Sequence, residues 1–222
     1  IYHDIIKYIP HTYVFQNIYI KRKNTRLTEI DIVAVDKSGI YVFECKNYSG
    51  WIFGRENSHK WYQTFKTGDK YEFYNPVFQN NIHISALKNI LPKYNNLPYY
   101  SIIVFSNECE LKKIELSNNE NTFIIYNSDI KYLLKDLTAF DSGYSREKID
   151  IINNIITNLK TANNKTDTEN KHIQDIYENF DKCPYCNGLL VERINKKDNS
   201  KFYGCSNYPK CKYTANYKRE FI

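Results

Sequence analysis

Four cysteines near the C-terminal end place the strongest constraint on how this chain folds. They form two pairs: Cys183 and Cys186 have two residues between them, and 18 residues later Cys205 and Cys211 have five between them. Paired loops of this kind can aim four thiolates at one metal ion, each about 2.3 Å away. The spacing predicts a zinc ribbon with short strands over 189–194 and 201–203. The alternative, two disulfides, has little support, because nothing else in the sequence indicates an oxidising compartment.

The charge of the 222-residue chain is concentrated in the same region. The net charge is +6, and residues 181–222 contain nine Lys or Arg against four Asp or Glu. The rest of the chain is therefore almost neutral. This asymmetry indicates either a polyanion-binding tail or one that is merely soluble, and charge alone leaves both open. Hydrophobic residues make up 42% and charged residues 25%, which excludes wholesale disorder.

The sequence Cys-Pro-Tyr-Cys-Asn-Gly over 183–188 and Gly-Cys-Ser-Asn-Tyr-Pro-Lys-Cys over 204–211 resembles the four-cysteine ribbons at the C-terminus of bacterial type IA topoisomerases. The resemblance covers about residues 181–215 and implies DNA binding, largely to single strands. Aromatic faces suit base stacking and lysines suit phosphates. About half of the ribbon's aromatic residues are expected in its own small core. The candidate DNA contacts are Tyr185, Lys201, Phe202, Tyr203, Tyr208, Lys210, Lys212 and Tyr213.

Upstream of the ribbon, strand-like and helix-like patterns alternate. Strands are predicted over 12–21, 30–35, 40–46, 99–105 and 122–126, and helices over 76–91, 129–137 and from about 145 to 159. The pattern predicts an α/β fold with one mixed sheet flanked by helices. Residues 161–180 are polar and lack periodicity, which indicates a linker between a domain over 1–160 and the ribbon over 181–222.

The hairpin predicted around residues 37 and 38 brings acidic side chains together. Its symmetrical register sets Asp31 opposite Glu44 and Glu29 opposite Lys46, and regular alternation puts all four on one face. Two opposed carboxylates repel unless a cation lies between them, and hard divalent ions accept such oxygen ligands. The alternative is an ordinary solvent-facing hairpin with a Glu29–Lys46 ion pair. His83, on the predicted helix, is expected to be structural or DNA-facing.

The segments Thr-Glu-Ile-Asp-Ile-Val-Ala-Val over 28–35 and Gly-Ile-Tyr-Val-Phe-Glu-Cys-Lys over 39–46 resemble the nuclease-related domain. That domain is itself similar to the PD-(D/E)xK nuclease fold, and the resemblance covers roughly residues 1–135. It implies a site in which Asp31 and Glu44 hold Mg²⁺ or Mn²⁺, with Lys46 and Gln79 completing the catalytic set. The family pattern usually begins with a helix bearing Gly-Glu, and the chain starts at Ile1, inside or after that helix.

The glycines, the remaining cysteines and the tryptophans give three weaker signals. Gly50 and Gly54 are expected to form a turn around Trp51. Cys109 is expected to be a free thiol in a polar loop, and Cys45 to belong to the core. Trp51 and Trp61 are equally suited to a DNA groove and to the core.

Together these patterns predict a bacterial, cytoplasmic protein that acts on DNA by metal-dependent phosphodiester hydrolysis, tethered by its zinc ribbon. Two alternatives stay open: a non-catalytic DNA-binding protein with a decayed nuclease fold, and an interaction module whose ribbon binds protein. No segment of the sequence approaches the length of a transmembrane helix. The chain contains no methionine, so a preceding segment is expected.

Overall fold

The computed structural model describes residues 1–22, 27–117, 120–138, 150–151, 153–155, 157–159, 183, 186, 188–195, 199 and 201–216. The chain divides into two compact units, 1–172 and 173–222, which are called here the body and the ribbon. The predicted linker over 161–180 and the first residues of the helix predicted from 145 lie outside the described residues.

The body alternates between strands and helices along the chain. Its elements are α1 (Tyr2–Ile5), β1 (Val14–Lys21), β2 (Leu27–Asp36), β3 (Gly39–Lys46), β4 (Gly50–Arg55), β5 (Lys60–Thr64), β6 (Lys70–Tyr74), α2 (Pro76–Ile90), β7 (Tyr99–Phe105), β8 (Cys109–Glu115), β9 (Thr122–Tyr126) and α3 (Ile130–Thr138). Further helical residues lie at 150–151, 153–155 and 157–159. The predicted α/β class and the five predicted strands are confirmed.

The main sheet contains five strands in the order β1-β2-β3-β7-β9. The first three strands are antiparallel, and β3, β7 and β9 run parallel. Helix α2 packs on one face, where Val33, Val42 and Leu87 share a core cluster. Helices α1 and α3 cover the other face, where Ala34 and Phe43 are buried. Both faces of β3 are therefore covered, which explains its continuous apolar sequence.

A second sheet, which the sequence analysis did not predict, contains four strands in the order β6-β5-β4-β8. The expected turn at Gly50 and Gly54 is wrong, because both residues belong to β4. Gly54 is needed within the strand for packing: a Cβ atom there would lie 2.1 Å from the ring of Trp61. Trp61 is fully buried, and Cys109 is also buried, at the start of β8 rather than in a polar loop.

Helix α2 begins where the side chain of Asn75 can cap it. The Asn75 amide oxygen accepts a hydrogen bond from the backbone N–H of Val77 at 2.9 Å, and Pro76 occupies the first helical position. The amide nitrogen of Asn75 donates to three backbone carbonyls of the turn after β4, namely Arg55, Glu56 and Ser58. One side chain therefore holds both the start of α2 and the neighbouring turn.

The ribbon contains three antiparallel strands, β10 (Leu190–Ile194), β11 (Lys201–Cys205) and β12 (Thr214–Asn216). The first two confirm the predicted strands. The third was not predicted, since three residues are too few for periodicity to appear. Cys183, Leu190 and Cys205 form a small buried cluster against which Tyr203 and Tyr213 pack.

Candidate active site and zinc site

The side-chain alternation of β2 breaks at Asp31. Ile30 and Val33 lie in the same core cluster, although regular alternation would put them on opposite faces. The β1–β2 register runs from Gln16 opposite Ile32 to Ile18 opposite Ile30, and Asn17, between these pairs, has a φ of 48°. Both strands therefore change face together at this point.

This break corrects the predicted arrangement of the hairpin. The β2–β3 register is the predicted one, but the ladder ends where Ile32 lies opposite Phe43, one pair before Asp31 and Glu44. Thr28 rather than Glu29 faces α2, where its hydroxyl lies 2.8 Å from Nδ1 of His83. The alternative Glu29–Lys46 ion pair is also wrong, since Lys46 pairs with Glu44.

Glu44 is the most enclosed member of the site, with 2% of its side chain exposed. Its Oε1 lies 2.6 Å from Nζ of Lys46, and its Oε2 lies 3.1 Å from Nε2 of His83. Burial opposes ionisation of this carboxyl, but the hydrogen bond from His83 and the charge of Lys46 outweigh burial and lower the pKa of Glu44. Glu44 is therefore held as a carboxylate in a fixed orientation.

Asp31 lies where β2 and β3 separate. Its Oδ2 accepts a hydrogen bond of 2.7 Å from the backbone N–H of Cys45, which leaves Oδ1 available to a cation. Burial raises the pKa of Asp31, and the negative charge of Glu44 raises it further, against the opposing effects of the Cys45 N–H and Lys46. Burial and Glu44 together therefore disfavour the ionised form of Asp31.

Lys46 and Gln79 complete the predicted set. Nζ of Lys46 donates to Oε1 of Gln79 at 3.1 Å, and Gln79 lies in the first turn of α2. The structure therefore brings Asp31, Glu44, Lys46 and Gln79 together through β2, β3 and α2. Burial and then the charges of Asp31 and Glu44 raise the pKa of the Cys45 thiol to about 12, which excludes this thiol as a nucleophile at neutral pH.

Sequence reasoning missed two residues that support this set. Thr28 holds the ring of His83, which is 3% exposed and in turn orients Glu44. Asn80, fully buried on α2, donates to the backbone carbonyl of Val42 and to the hydroxyl of Ser101. It thereby attaches α2 to β3 and β7. An Asn one position after Gln79 carries no periodic signal that distinguishes it from a solvent-facing residue.

A cleft of about 700 Å³ is lined by Cys45 and Lys46 at the end of β3, whereas Asp31 and Glu44 do not line it. It lies at the carboxyl ends of the parallel strands, where β3 ends at Lys46, Ser106 follows β7 and Asn127 follows β9. Lys7 and Lys131 also line it. Open α/β sheets place their ligands outside the carboxyl ends of strands, and Lys46 belongs to both the cleft and the acidic site.

In the ribbon, the four predicted cysteines converge, and their sulfur atoms all lie within 4.8 Å of one another. The Sγ–Sγ distance is 3.6 Å between Cys183 and Cys211 and 3.3 Å between Cys186 and Cys205. Four sulfurs tetrahedrally disposed about 2.3 Å from one zinc would be about 3.8 Å apart. All four cysteines are free, so the arrangement supports a structural zinc and not the alternative of disulfides.

Hydrogen bonds favour the thiolate form of Cys186, whereas burial raises the pKa of Cys205. The side-chain amide of Asn207 donates to Sγ of Cys186 and its backbone N–H donates to Sγ of Cys205, each at 3.4 Å. A hydrogen bond from the backbone of Gly188, followed by the contact with Cys205, lowers the pKa of Cys186 to about 6. The thiolate is the metal-binding form.

The predicted DNA contacts of the ribbon differ in how exposed their side chains are. Tyr208 is 61% exposed, and Lys210 and Lys212 are exposed too. Tyr203 and Tyr213 pack on the cysteine cluster, while Phe202 is half-buried. Tyr185 and the side chain of Lys201 lie outside the described residues. Sequence reasoning missed Arg193, whose guanidinium carbon lies 5.6 Å from the centre of the Tyr208 ring.

Comparison with known proteins agrees with both parts of this structure. The profile of the nuclease-related domain matches residues 4–106, and that of the topoisomerase DNA binding C4 zinc finger matches residues 181–220. An uncharacterized protein of Bacillus anthracis is 30% identical over 171 residues, which is 77% of this chain and 76% of that protein. The chain belongs to the nuclease-related domain family and ends in a topoisomerase-type zinc ribbon.

Other relatives match one part each. An uncharacterized protein of Methanocaldococcus jannaschii is 30% identical over 124 residues, 54% of this chain and 36% of that protein. DNA topoisomerase 1 of Mycoplasma genitalium is 59% identical over 32 residues, only 4% of its length. No solved structure matches the chain. Among the described residues, no helix combines the length and hydrophobicity that crossing a membrane requires.

Proposed function

We propose that this protein is a metal-dependent phosphodiesterase that acts on DNA in the cytoplasm. The observation that carries the proposal is the convergence of Asp31, Glu44 and Lys46 at the point where β2 and β3 separate; of these, Lys46 also lines the cleft of about 700 Å³. The family match supports a nuclease-like body. Carboxylates whose pKa values are perturbed by burial and by a specific charged partner are enriched at functional sites.

The residues fit a divalent cation such as Mg²⁺ or Mn²⁺. Asp31 offers Oδ1, and burial together with the charge of Glu44 raises its pKa, so a bound cation would stabilise its ionised form. Glu44 is ionised and rigidly oriented. Two carboxylates leave most positions of such an ion to water and to substrate oxygens, as at phosphoryl-transfer sites. When bound, the ion would supply Lewis acidity and a more acidic water.

The remaining residues position the substrate. The ammonium group of Lys46 is fixed by Glu44 and Gln79 and is 16% exposed. A rigid cation at the edge of the cleft can hold a phosphate oxygen and stabilise the negative charge that develops there. His83 is a positioning residue, because it contacts Glu44 from the buried side. It fixes the carboxylate through a ring that Thr28 holds at its other nitrogen.

We propose that the ribbon is the part of the protein that attaches it to DNA. The topoisomerase relatives support DNA binding, and the exposed face of Tyr208, together with Lys210, Lys212 and Arg193, offers a stacking surface with cations around it. Single-stranded DNA suits such a surface, since its unpaired bases are free to stack. DNA held by the ribbon would be present near the body at a raised effective concentration.

The test is digestion of linear and circular DNA with Mg²⁺ by the purified chain and three variants. Glu44→Gln and Asp31→Asn should each lower the rate at least about 100-fold, since each removes a ligand charge at constant shape. Asp69→Asn, in the exposed turn between β5 and β6, is the matched control and should cleave normally. Equal rates for all four proteins would refute the assignment of the site.

A second candidate function, DNA binding without catalysis, is favoured by one observation. Lys46 and His83 engage both oxygens of Glu44, so a cation has to compete with an existing ion pair. In the same assay, DNA that is bound but never cleaved by the wild-type protein, with Mg²⁺ or Mn²⁺, would support this second function.

A further inference from the structure

The outer face of the four-stranded sheet carries three aromatic side chains in adjacent positions. Trp51 and Phe53 alternate with the buried Ile52 on β4, and Tyr62 lies directly opposite Phe53 on β5. All three are half-buried, whereas Ile52 and Trp61 point inward and form the core beneath the sheet. Opposed residues of antiparallel strands lie about 5 Å apart, so the three rings form one continuous surface, which we call the platform.

Cations lie directly over this platform. Nζ of Lys70 is 3.8 Å from the centre of the Tyr62 ring, and Nζ of Lys112 is 5.6 Å from the Trp51 ring. The two rings therefore already present their π-faces to positive charge, which is the geometry of a cation–π contact. Lys70 and Lys112 are both exposed, so their ammonium groups lie on the solvent side of the two rings.

A cavity of about 290 Å³ lies on the same face. It has an aromatic wall made by Phe53 and Tyr62 and a basic rim made by Arg55, Lys60 and Lys113. The face as a whole carries five cations and three carboxylates. They are Arg55, Lys60, Lys70, Lys112 and Lys113, and Glu72, Glu110 and Glu115.

The three carboxylates are used to hold cations in place. Glu115 pairs with Arg55 at 2.9 Å and with Lys113 at 3.3 Å. Glu110 pairs with Lys112 at 2.6 Å, and Glu72 pairs with Lys60. The face therefore keeps a small positive excess, so that stacking rather than charge must dominate its recognition of any ligand.

We propose that the platform binds single-stranded nucleic acid by stacking unpaired bases on Trp51, Phe53 and Tyr62, with phosphates held by the surrounding lysines. Exposed bases are flat and π-faced and carry one anionic phosphate each, which matches a row of rings with a modest cationic surround. Duplexes do not fit, because their bases are already stacked on each other. The proposal does not depend on hydrolysis at Asp31 and Glu44 or on binding by the ribbon.

The chain offers a reporter that lies on the platform itself. It contains two tryptophans, Trp51 and the fully buried Trp61, and the ribbon contains none. Titrating the full-length protein with an oligothymidylate of about 12 nucleotides, without added divalent metal, should quench the fluorescence of Trp51. DNA that binds only to the ribbon leaves both tryptophans unchanged. A labelled oligonucleotide reports total binding by anisotropy in parallel.

Three variants make the test specific. Trp51→Phe should abolish the quenching, because Trp61 is inaccessible. Tyr62→Ser should weaken the binding that causes quenching by about 5- to 100-fold, the usual effect of losing one stacked base. Tyr71→Ser is the matched control: Tyr71 is 58% exposed on β6 but lies opposite Gln63, on the other side of this sheet. This control should bind like the wild type.

Four outcomes would overturn the proposal. They are anisotropy that saturates without any quenching, quenching that survives in Trp51→Phe, equal affinity of wild type and Tyr62→Ser, and equal quenching by duplex DNA of the same length. Oligouridylate is tested beside oligothymidylate, and quenching by either supports the proposal. The circular dichroism spectrum of each variant should match that of the wild type, which confirms that the sheet remains folded. Loss of nuclease activity in Glu44→Gln leaves all of these readouts unchanged.

Discussion

The two candidate metal ligands should have opposite effects on stability when each is replaced by its amide. Glu44→Gln neutralises a buried carboxylate that pairs with Lys46 and is hydrogen-bonded to His83. Breaking such a pair costs about 3 kcal/mol, because an uncompensated ammonium is left in a buried place. For a domain of this size that corresponds to a fall in Tm of about 6–12 °C.

Asp31→Asn should instead stabilise the metal-free protein. The amide oxygen of Asn can still accept the hydrogen bond from the N–H of Cys45, while the repulsion from Glu44 disappears. Active-site replacements of this kind stabilise by about 1 kcal/mol, or a rise in Tm of about 2–4 °C. Both variants are nevertheless expected to be inactive, so stability and activity change independently at Asp31.

The dependence on pH follows from the two pKa shifts, which have opposite signs. The pKa of Glu44 is lowered, so its contribution to stability is present above its unfolded value and is lost as pH falls through the lowered folded value. The pKa of Asp31 is raised, so stability falls as pH rises from the unfolded value through the raised folded value. Both differences from the wild type should therefore shrink in acid.

Thermal unfolding is followed by tryptophan fluorescence, which reports on the body because Trp61 is buried there and the ribbon has no tryptophan. Scans are made without divalent metal at neutral and at acidic pH, with Asp69→Asn as the control. Mg²⁺ should then raise the Tm of the wild type and of Asp69→Asn, but not of Glu44→Gln or Asp31→Asn. If Asp31→Asn lowers Tm at neutral pH as much as Glu44→Gln does, the electrostatic description of the site is wrong.

Three further predictions concern other parts of the chain. Cys205→Ser should lower the zinc content from about one atom per chain, measured by elemental analysis, and unfold the ribbon, because so small a module lacks an adequate core; unchanged zinc content would reject the site. Removal of residues 181–222 should weaken DNA binding and reduce the slope of log affinity against log salt by about 0.7–0.9 for each lost phosphate contact, and identical salt titrations would exclude the ribbon as tether. Gly54→Ala should destabilise the body by about 1–3 kcal/mol in urea unfolding, because the new methyl group collides with Trp61; Gly68→Ala, in open space but at a φ of 92°, separates this collision from backbone strain.

The main sheet and the zinc ribbon could be predicted because their signals are local. The apolar runs of β2 and β3, the two-residue turn between them and the Cys-x-x-Cys spacing each need only a few neighbouring residues. The register of the hairpin followed from its symmetry. The sequence also identified Gln79, although only by resemblance, since nothing in a helical pattern indicates that its oxygen reaches Lys46.

The parts that could not be predicted depend on contacts between distant residues. The second sheet forms only when β8 pairs with β4, which lies more than 50 residues earlier in the chain. Strand β4 also contains two glycines, which indicate a turn when only the neighbouring residues are considered. Gly54 is tolerated there because Trp61 fills the space. The change of face at Asp31 likewise depends on the conformation of Asn17 on another strand. Alternation alone therefore put Glu29 on the face of Glu44 and Lys46, whereas the structure has Thr28 in contact with His83 on that side.

The hydrogen bonds of the Asn75 side chain affect how the body unfolds locally. One side-chain amide caps α2 and also donates to the carbonyls of Arg55, Glu56 and Ser58. If this side chain moves away, the start of the helix and the turn lose their hydrogen bonds together. They belong to one cooperative unit of local unfolding. That unit contains Gln79 and His83, so thermal fluctuation removes the positioning of Glu44 and Lys46 as a single event. Opening of this unit would leave Asp31 on the N–H of Cys45, while Glu44 and Lys46 would lose their partners on the helix at the same moment.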